Sequence, residues 1–397
     1  MAEIFDVIIV GAGASGLMCA IEAGRRGRTV LLVDHASKPG QKLLITGGGR
    51  CNFTNRQIDV NNFISRIPRF CKSALTRFSQ NDFIKLLEKN QIKYSEREHG
   101  QLFCTGSARQ ILDMLVQDCH RNGVTLRTDC MISQINHAAK SDGQNFTLST
   151  SKGELLCQAL VVATGGLSLP ETGASNFGLK LAEQFALEVV SPTPGLVPLT
   201  LQPADKQISS VLSGIAIDAV VSYKRQNFRE NLLFTHRGLS GPAALQISLY
   251  WQPGSEISIN MLPDLDLIAA FTRRKSENPL LRVKTVVAEY LPKRMVETMI
   301  SPETGEKPLA NTSLATFNEI AERLQHWKII PAGTEGYRTA EVTVGGVSCH
   351  EVSSKTFAAH KVPGLYFIGE VLDVAGWLGG YNLQWAWSSG WCAGQYA

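Results

Sequence analysis

Phe5-Asp6-Val7-Ile8-Ile9-Val10-Gly11-Ala12-Gly13-Ala14-Ser15-Gly16 is the stretch on which the fold of this chain turns. Phe5 to Val10 is an apolar, β-branched run of the kind that forms a buried parallel strand. The glycines follow at once, and Leu17 to Gly24 reads as a helix with small residues toward the sheet. A second apolar strand, Thr29 to Val33, ends at Asp34, 18 residues past Gly16. Each part has a physical task in a unit that takes a dinucleotide. Gly11 permits the tight turn, Gly13 lets the backbone approach a pyrophosphate, and Gly16 allows close helix–strand packing. Ala14 and Ser15 open the helix, whose unpaired N–H groups face the phosphates. Asp34 accepts hydrogen bonds from a ribose diol, with His35 beside it. An acid at this place argues against an NADP 2′-phosphate and leaves NAD and FAD open.

Three later segments point to FAD. Gly40 to Asn55 contains Lys42 and then Gly47-Gly48-Gly49-Arg50-Cys51-Asn52. A triple glycine lets the chain pass close to a flat ligand, and Lys42 and Arg50 neutralise phosphates. Ala159 to Gly166 is a buried strand ending in Ala163-Thr164-Gly165, the turn that flavoproteins of the glutathione-reductase type carry where the chain passes the dinucleotide. Gly364 to Asp373, followed by Gly379-Gly380-Tyr381-Asn382-Leu383-Gln384, reads as strand, acidic turn, glycine-rich approach and final helix. There, after Gly369, Glu370 or Asp373 holds the ribityl chain or the flavin-side phosphate, and the N–H groups at the helix start face the flavin. The length of FAD explains why the end of the chain returns to the cofactor. No second G-x-G-x-x-G follows a strand, so NAD(P)H, if it is the electron donor, docks only transiently.

At 397 residues the chain exceeds one ordinary core; about 150 residues per domain gives two or three units. Hydrophobic residues make up 44% and charged residues 19%, values of a soluble globular protein. No run approaches the ~18 apolar residues of a spanning helix, and Met1-Ala2-Glu3 leads directly into the first strand with no secretory pattern. No membrane association is expected, and the cytoplasm is the expected compartment. None of the nine cysteines forms a C-x-x-C pair, so no metal site is expected, and most should be buried thiols. The net charge of +4 is unevenly spread. Residues 38–77 carry eight Lys or Arg against Asp59 alone, and residues 273–294 carry seven against Glu277 and Glu289. Such stretches are either solvated faces with some phosphate ligands, or the footprint of an anionic partner such as RNA.

From about Ser191 the texture changes. Pro192, Pro194 and Pro198 punctuate a linker, and β-like runs follow at Leu196–Leu201, Ile215–Tyr223 and Ile257–Leu262. A helix starts near Pro242, residues 265–325 read as helical, and Gly333–Val347 returns to strand. The expected organisation is α/β: a discontinuous FAD-binding domain (1–190 with 345–397), a β-barrel substrate domain (191–264 with 326–344) and a helical insert (265–325).

Four segments carry a family resemblance: Gly47–Asn55, Phe234–Pro242, Thr334–Val347 and Trp377–Asn382. With them the chain resembles the BaiN/RdsA family of FAD-dependent oxidoreductases, also called the YhiN or aminoacetone oxidase family, from end to end. The resemblance implies a glutathione-reductase-like Rossmann FAD domain with an inserted β-barrel and helical sub-domain, and FAD bound non-covalently. Its members are associated with reduction of a uridine in large-subunit ribosomal RNA, oxidation of an aminoketone, and reduction of steroid-type double bonds.

The leading expectation is reduction of a uracil ring in ribosomal RNA, with a hydride to C6 and a proton to C5 after the base leaves its stack. In that reading the basic stretches contact phosphates, and Phe53, Phe63 and Phe70 stack on bases. Cys51 is the candidate proton donor, or else a buried structural thiol. His236 and Arg237 bind an anionic substrate or stabilise a strand–helix junction. Glu335, Tyr337 and Arg338 line the substrate cavity, or form a cross-strand ion pair with packing. Tyr381 and Asn382 are flavin neighbours, and Trp377, Trp385 and Trp387 belong to the core. The alternatives are a flavin oxidase or reductase acting on a small aminoketone or enone, and a flavin-binding redox sensor without turnover.

Overall fold

The computed structural model describes residues 2–138 and 145–397; Met1 and residues 139–144, both inside the expected FAD-binding domain, lie outside the described residues. The chain divides into two compact units, one running to Pro194 and resuming at Glu341–Ala397, the other comprising Gly195–Ala340.

The first unit is built on the strand Glu3–Val10, whose last four residues are wholly enclosed, as its apolar sequence requires. Val30–Val33 pairs with it in parallel on one side and Gly153–Val162 on the other. Thr125–Arg127 continues the sheet beyond Val30–Val33. The long strand Gly153–Val162 shares its outer edge between two partners. Antiparallel Phe146–Thr150 takes the first half and parallel Leu365–Phe367 the second. Five parallel strands therefore end along one carboxyl edge, and the segments leaving it are stitched together. Gly11 N donates to Val33 O (2.8 Å), Asp34 N to Arg127 O (3.0 Å), Ala163 N to Val10 O (2.8 Å) and Ile368 N to Val162 O (3.0 Å). The chain leaves Glu3–Val10 toward one side of the sheet and later returns on the other. At such a switch point an open α/β sheet holds its ligands.

Helices Ala14–Arg25 and Tyr381–Gly394 cross closely because the second brings glycines to the contact. A Cβ on Gly390 would collide with Ser15 O, and one on Gly394 would lie 2.6 Å from Glu22 Cβ. The start and the end of the described chain are thereby packed against one another.

The second unit holds an antiparallel sheet in the order Trp327–Ile329, Ile257–Asn260, Ala216–Tyr223, Gln226–Phe234, Gly238–Ser240, Leu199–Thr200, Gly333–Thr334. Its two outermost strands are separated in sequence only by residues 330–332. Seven flat strands would place them about 29 Å apart, whereas four peptide steps reach about 14 Å. The sheet therefore curls on itself as a small barrel. Leu267–Glu277 and Leu314–Gln325 head and close a helical insert, joined by the stacked rings of Phe271 and Phe317 at 4.5 Å.

Two expected strands are shorter than their sequences suggest. Gly333–Val347 is broken after Thr334, because Gly336 takes φ +77° and its carbonyl accepts from Thr339 N and Ala340 N in a turn. Val342–Val347 then pairs with Val189–Gly195. Of Leu196–Leu201 only Leu199–Thr200 is strand, Leu196 itself having φ +48°.

Candidate functional site

The turn after the first strand is shaped by two kinds of glycine. A Cβ on Gly11 would collide with Ala163 O and one on Gly16 with Gly11 O, so the protein's own packing excludes side chains there. A Cβ on Gly13 would meet nothing within 4 Å. Helix Ala14–Arg25 starts at Gly13 with no side-chain cap and no acid in its first turn. Its first-turn N–H groups, those of Ala14, Ser15 and Gly16, have no intrahelical acceptor and suit an anion. Asp34 holds the turn: Oδ2 accepts from Ala12 N (2.7 Å) and Oδ1 from Ala36 N (2.8 Å). Each carboxylate oxygen keeps a second lone pair for a ribose hydroxyl. His35 Nδ1 lies 3.5 Å from Asp34 Oδ1 and is half exposed.

Further along the carboxyl edge, Lys42 Nζ donates to Glu370 Oε2 (2.7 Å) and to Ser168 Oγ (2.6 Å). Glu370 Oε1 accepts from Ser168 Oγ (3.1 Å) and Thr343 N (2.8 Å), and Thr343 Oγ1 accepts from Leu167 N (2.7 Å). Four segments remote in sequence are knotted by this ion pair. Gly369, before Glu370, is fixed from the last helix: its N–H donates to Ser389 Oγ (3.1 Å) and its carbonyl accepts from Trp385 Nε1 (3.0 Å). Trp385 thus does more than fill the core. Thr164 Oγ1 is buried with no protein partner among the described residues, and a Cβ on Gly165 would meet nothing within 4 Å. Asp373, the other acid considered for this region, is buried, and its Oδ2 accepts from Arg66 N (2.9 Å). Burial pushes its carboxyl above the usual range.

Gly47, Gly48 and Gly49 take φ of +57°, +65° and +82° in succession, and Cys51 has φ +50°. A left-handed conformation costs an L-residue about 1–2 kcal/mol, so the run demands glycine. Cys51 is held in it by Cys51 N to Thr46 O (3.0 Å) and Cys104 N to Arg50 O (3.0 Å). The Cys51 side chain is wholly buried, which pushes its thiol up to about 12. Arg50 is exposed, and the space beside Gly48 is open.

The next strand, Asn52–Asn55, braces the start of the final helix. The Asn52 amide, oriented by its surroundings, accepts from Gly380 N (3.1 Å) and donates to Leu102 O and Thr54 O (3.1 Å each). Asn55 Nδ2 donates to Gly379 O (3.0 Å), and Thr54 Oγ1 to Gln384 Oε1 (2.6 Å). Gly380 has φ +94°, and a Cβ there would collide with Thr54 O. Helix Tyr381–Gly394 consequently begins without a side-chain cap. The Asn382 side chain is spent on Gly376 N (2.7 Å) and Gly376 O (2.9 Å), and the Tyr381 ring packs edge-on to Phe63 at 6.1 Å. The first-turn N–H groups of Asn382 and Leu383 have no intrahelical acceptor.

The residues at the carboxyl edge fit a dinucleotide: uncapped helix starts, space at Gly13 and Gly165 that the protein leaves unfilled, and a hydroxyl without a partner. The motif spacing did not reveal Ser168, Thr343, Thr54, Asn55 or Gln384, because each acts on a partner more than forty residues away.

In the second unit, Gly238–Leu239 and Gly333–Thr334 flank Leu199–Thr200. His236, Arg237 and Arg338 are exposed and Tyr337 half-buried. Arg237 reaches Glu335 at 3.7 Å. Two expectations need correction. Phe53 and Phe70 are no stacking platform for bases: both are buried, Phe53 against Phe83 and Tyr94, Phe70 against Phe357 and Trp385. Nor is 273–294 a free basic face. Arg274 pairs with Glu277 and Glu289, Arg282 and Lys284 pair with Glu306, and Lys275 donates to Thr312 O.

The HI0933-like protein Rossmann domain matches residues 5–396. The chain is 51% identical over 397 residues to the ribosomal RNA dihydrouridine synthase of Escherichia coli, covering 99% of this chain and 98% of that protein. It is 44% identical over 393 residues to the ribosomal RNA dihydrouridine synthase of Haemophilus influenzae, covering 98% and 97%. Among solved structures, 3-ketosteroid-delta4-(5alpha)-dehydrogenase from Rhodococcus jostii RHA1 aligns over 99% of this chain and 97% of that one, with TM-score 0.51 and 12% identity, a likeness of fold alone. With glycine turn, carboxyl edge and returning helix in place from one end to the other, the chain belongs to the HI0933-like Rossmann family.

Proposed function

We propose that this protein is an FAD-dependent oxidoreductase that reduces a uridine of large-subunit ribosomal RNA to dihydrouridine. The observation that carries this reading is the full-length likeness, at 51% and 44% identity, to two proteins named for that activity. The carboxyl edge supports it by offering what a long dinucleotide needs. The N–H groups of Ala14, Ser15 and Gly16 would hold the pyrophosphate, with Asp34 and His35 at the adenosine ribose. Lys42, Thr164, Gly165, Gly369 and Glu370 would serve the middle of the cofactor. Gly48 to Asn52 and Gly379 to Leu383 would serve the flavin end, while Asp373 stays with Arg66. FAD is held without a covalent bond.

When bound and reduced, FAD supplies the hydride that a uracil ring takes at C6. The chain's own share is to hold base and cofactor in register, exclude water and allow a proton to reach C5. Cys51 is sealed inside the protein, and we assign it to packing the left-handed turn. NAD(P)H is our proposed electron donor, docking transiently, since the chain has one G-x-G-x-x-G and its second unit is antiparallel.

Nucleoside mass spectrometry of large-subunit ribosomal RNA from cells with and without the gene tests the reading. The expected result is loss of dihydrouridine in its absence and recovery with the intact gene. An unchanged level contradicts the proposal.

A further inference from the structure

The segments around Arg237 and Arg338 are about a hundred residues apart in sequence, yet they flank the same two-residue strand in the second unit. The turn Thr235–Gly238 is rigidly held. Thr235 Oγ1 accepts from Arg237 N (3.2 Å) and Gly238 N (3.1 Å). Leu201 N donates to Arg237 O (3.2 Å), Ser210 Oγ to His236 O (3.2 Å) and Ser209 Oγ to Thr235 O (2.8 Å). Arg237 projects from this turn with its side chain 58% exposed, while Glu335 at 3.7 Å is 13% exposed. The carboxylate steadies the guanidinium from one side and leaves the rest of its donor fork free. His236 and Arg338 are exposed, and their side chains make no ion pair among the described residues. Lys206, also exposed, lies one helical turn before Ser210 and so shares its face. Arg237 shares one carboxylate, while Arg338 and Lys206 make no ion pair among the described residues, so these segments carry more positive charge than Glu335 offsets.

We propose that this edge is where the second unit docks RNA: Arg237, Arg338 and Lys206 take backbone phosphates, with His236 next to Arg237 in the same turn. The inference rests on the ribosomal RNA reading above. Planar guanidinium forks match phosphate oxygens, and a turn already fixed by five hydrogen bonds loses little freedom on binding. These residues position the substrate and take no part in the chemistry.

The test uses the flavin-loaded protein and an unmodified large-subunit ribosomal RNA transcript, with affinity measured across a series of KCl concentrations. The double variant Arg237→Ala/Arg338→Ala should bind about tenfold more weakly or worse. Its plot of log K against log salt should flatten by about 1.4–1.8. Arg237→Lys/Arg338→Lys should recover most of the slope. Arg273→Ala/Arg282→Ala, which removes cations of the paired insert, should change neither quantity. Unchanged affinity and slope in the first variant, or an equal loss in the last, overturns the docking edge. If the unaltered protein forms dihydrouridine while the first variant binds equally well, only the edge is wrong. If the unaltered protein forms none, the functional reading itself is wrong.

Discussion

A Cβ on Gly13 would meet open space, whereas one on Gly16, three residues later, would collide with Gly11 O. The two glycines therefore make different predictions. Gly13→Val should leave the melting of flavin-free protein within about 0.5 kcal/mol of the original, since φ −85° and ψ −170° suit any residue. The same variant should retain little flavin, because the side chain takes the place of the pyrophosphate. Gly16→Val should damage both properties. Calorimetry of the flavin-free protein and flavin absorbance after gel filtration separate the cases; a Gly13→Val protein that keeps its flavin would place the cofactor elsewhere. At Cys51 the expectation is a structural role. Cys51→Ala should cost about 1–2 kcal/mol of stability and keep uridine reduction. A rate loss of about a hundredfold or more is what removal of a general acid produces and would restore that role. The glycine spacing was readable without the structure because the turn and the helix start it serves follow one local pattern, even though the atom that a Cβ on Gly11 would strike, Ala163 O, lies at the end of another strand. Ser168 and Thr343 were not, since their function exists only once the four segments around Lys42 meet.

At the scale of elements, the cofactor edge depends on how the last helix sits on the first. Gly390 makes that crossing possible, with no room for a Cβ beside Ser15 O. Gly390→Val should force the two apart, cost about 2–4 kcal/mol and lower flavin retention, measured by urea unfolding and by flavin absorbance. Retention at the original level would mean that the crossing does not set the site. Strands with a continuous apolar run, such as the one ending at Val10, were legible because burial on both faces leaves no other reading. The breaks at Gly336 and Leu196 were not. At Gly336 the flanking residues remain strand-forming; at Leu196 the prolines mark a linker, but only the positive φ shows where the strand stops. Likewise the charges of 273–294 looked free in one dimension because Glu306, which absorbs two of them, lies beyond the stretch.

In the whole molecule all nine cysteines are buried free thiols, as their scattered spacing suggested. Burial pushes Cys51, Cys71, Cys119, Cys157 and Cys349 up to about 12 and Cys392 to about 11, from an ordinary value near 9. A group raised on folding contributes stability that is fully present below its unfolded value and is lost as pH climbs through the folded one. Melting temperature should therefore hold level up to about 9 and fall from there toward 12. Replacing Cys157 and Cys349 by alanine should shallow that fall; an unchanged slope would assign it to other groups. The antiparallel sheet in mid-chain was foreseeable from the change of texture after Ser191, but the segments bearing Arg237 and Arg338 come to one strand only through the pairing around Leu199–Thr200.

The most direct test of the central claim is anaerobic. Purified protein carrying reduced flavin is mixed with unmodified large-subunit ribosomal RNA, and flavin oxidation is followed beside dihydrouridine by mass spectrometry. The account predicts that flavin colour returns as dihydrouridine accumulates, one for one, in the absence of oxygen. Flavin that stays reduced with RNA present and reoxidises only when air is admitted would contradict it.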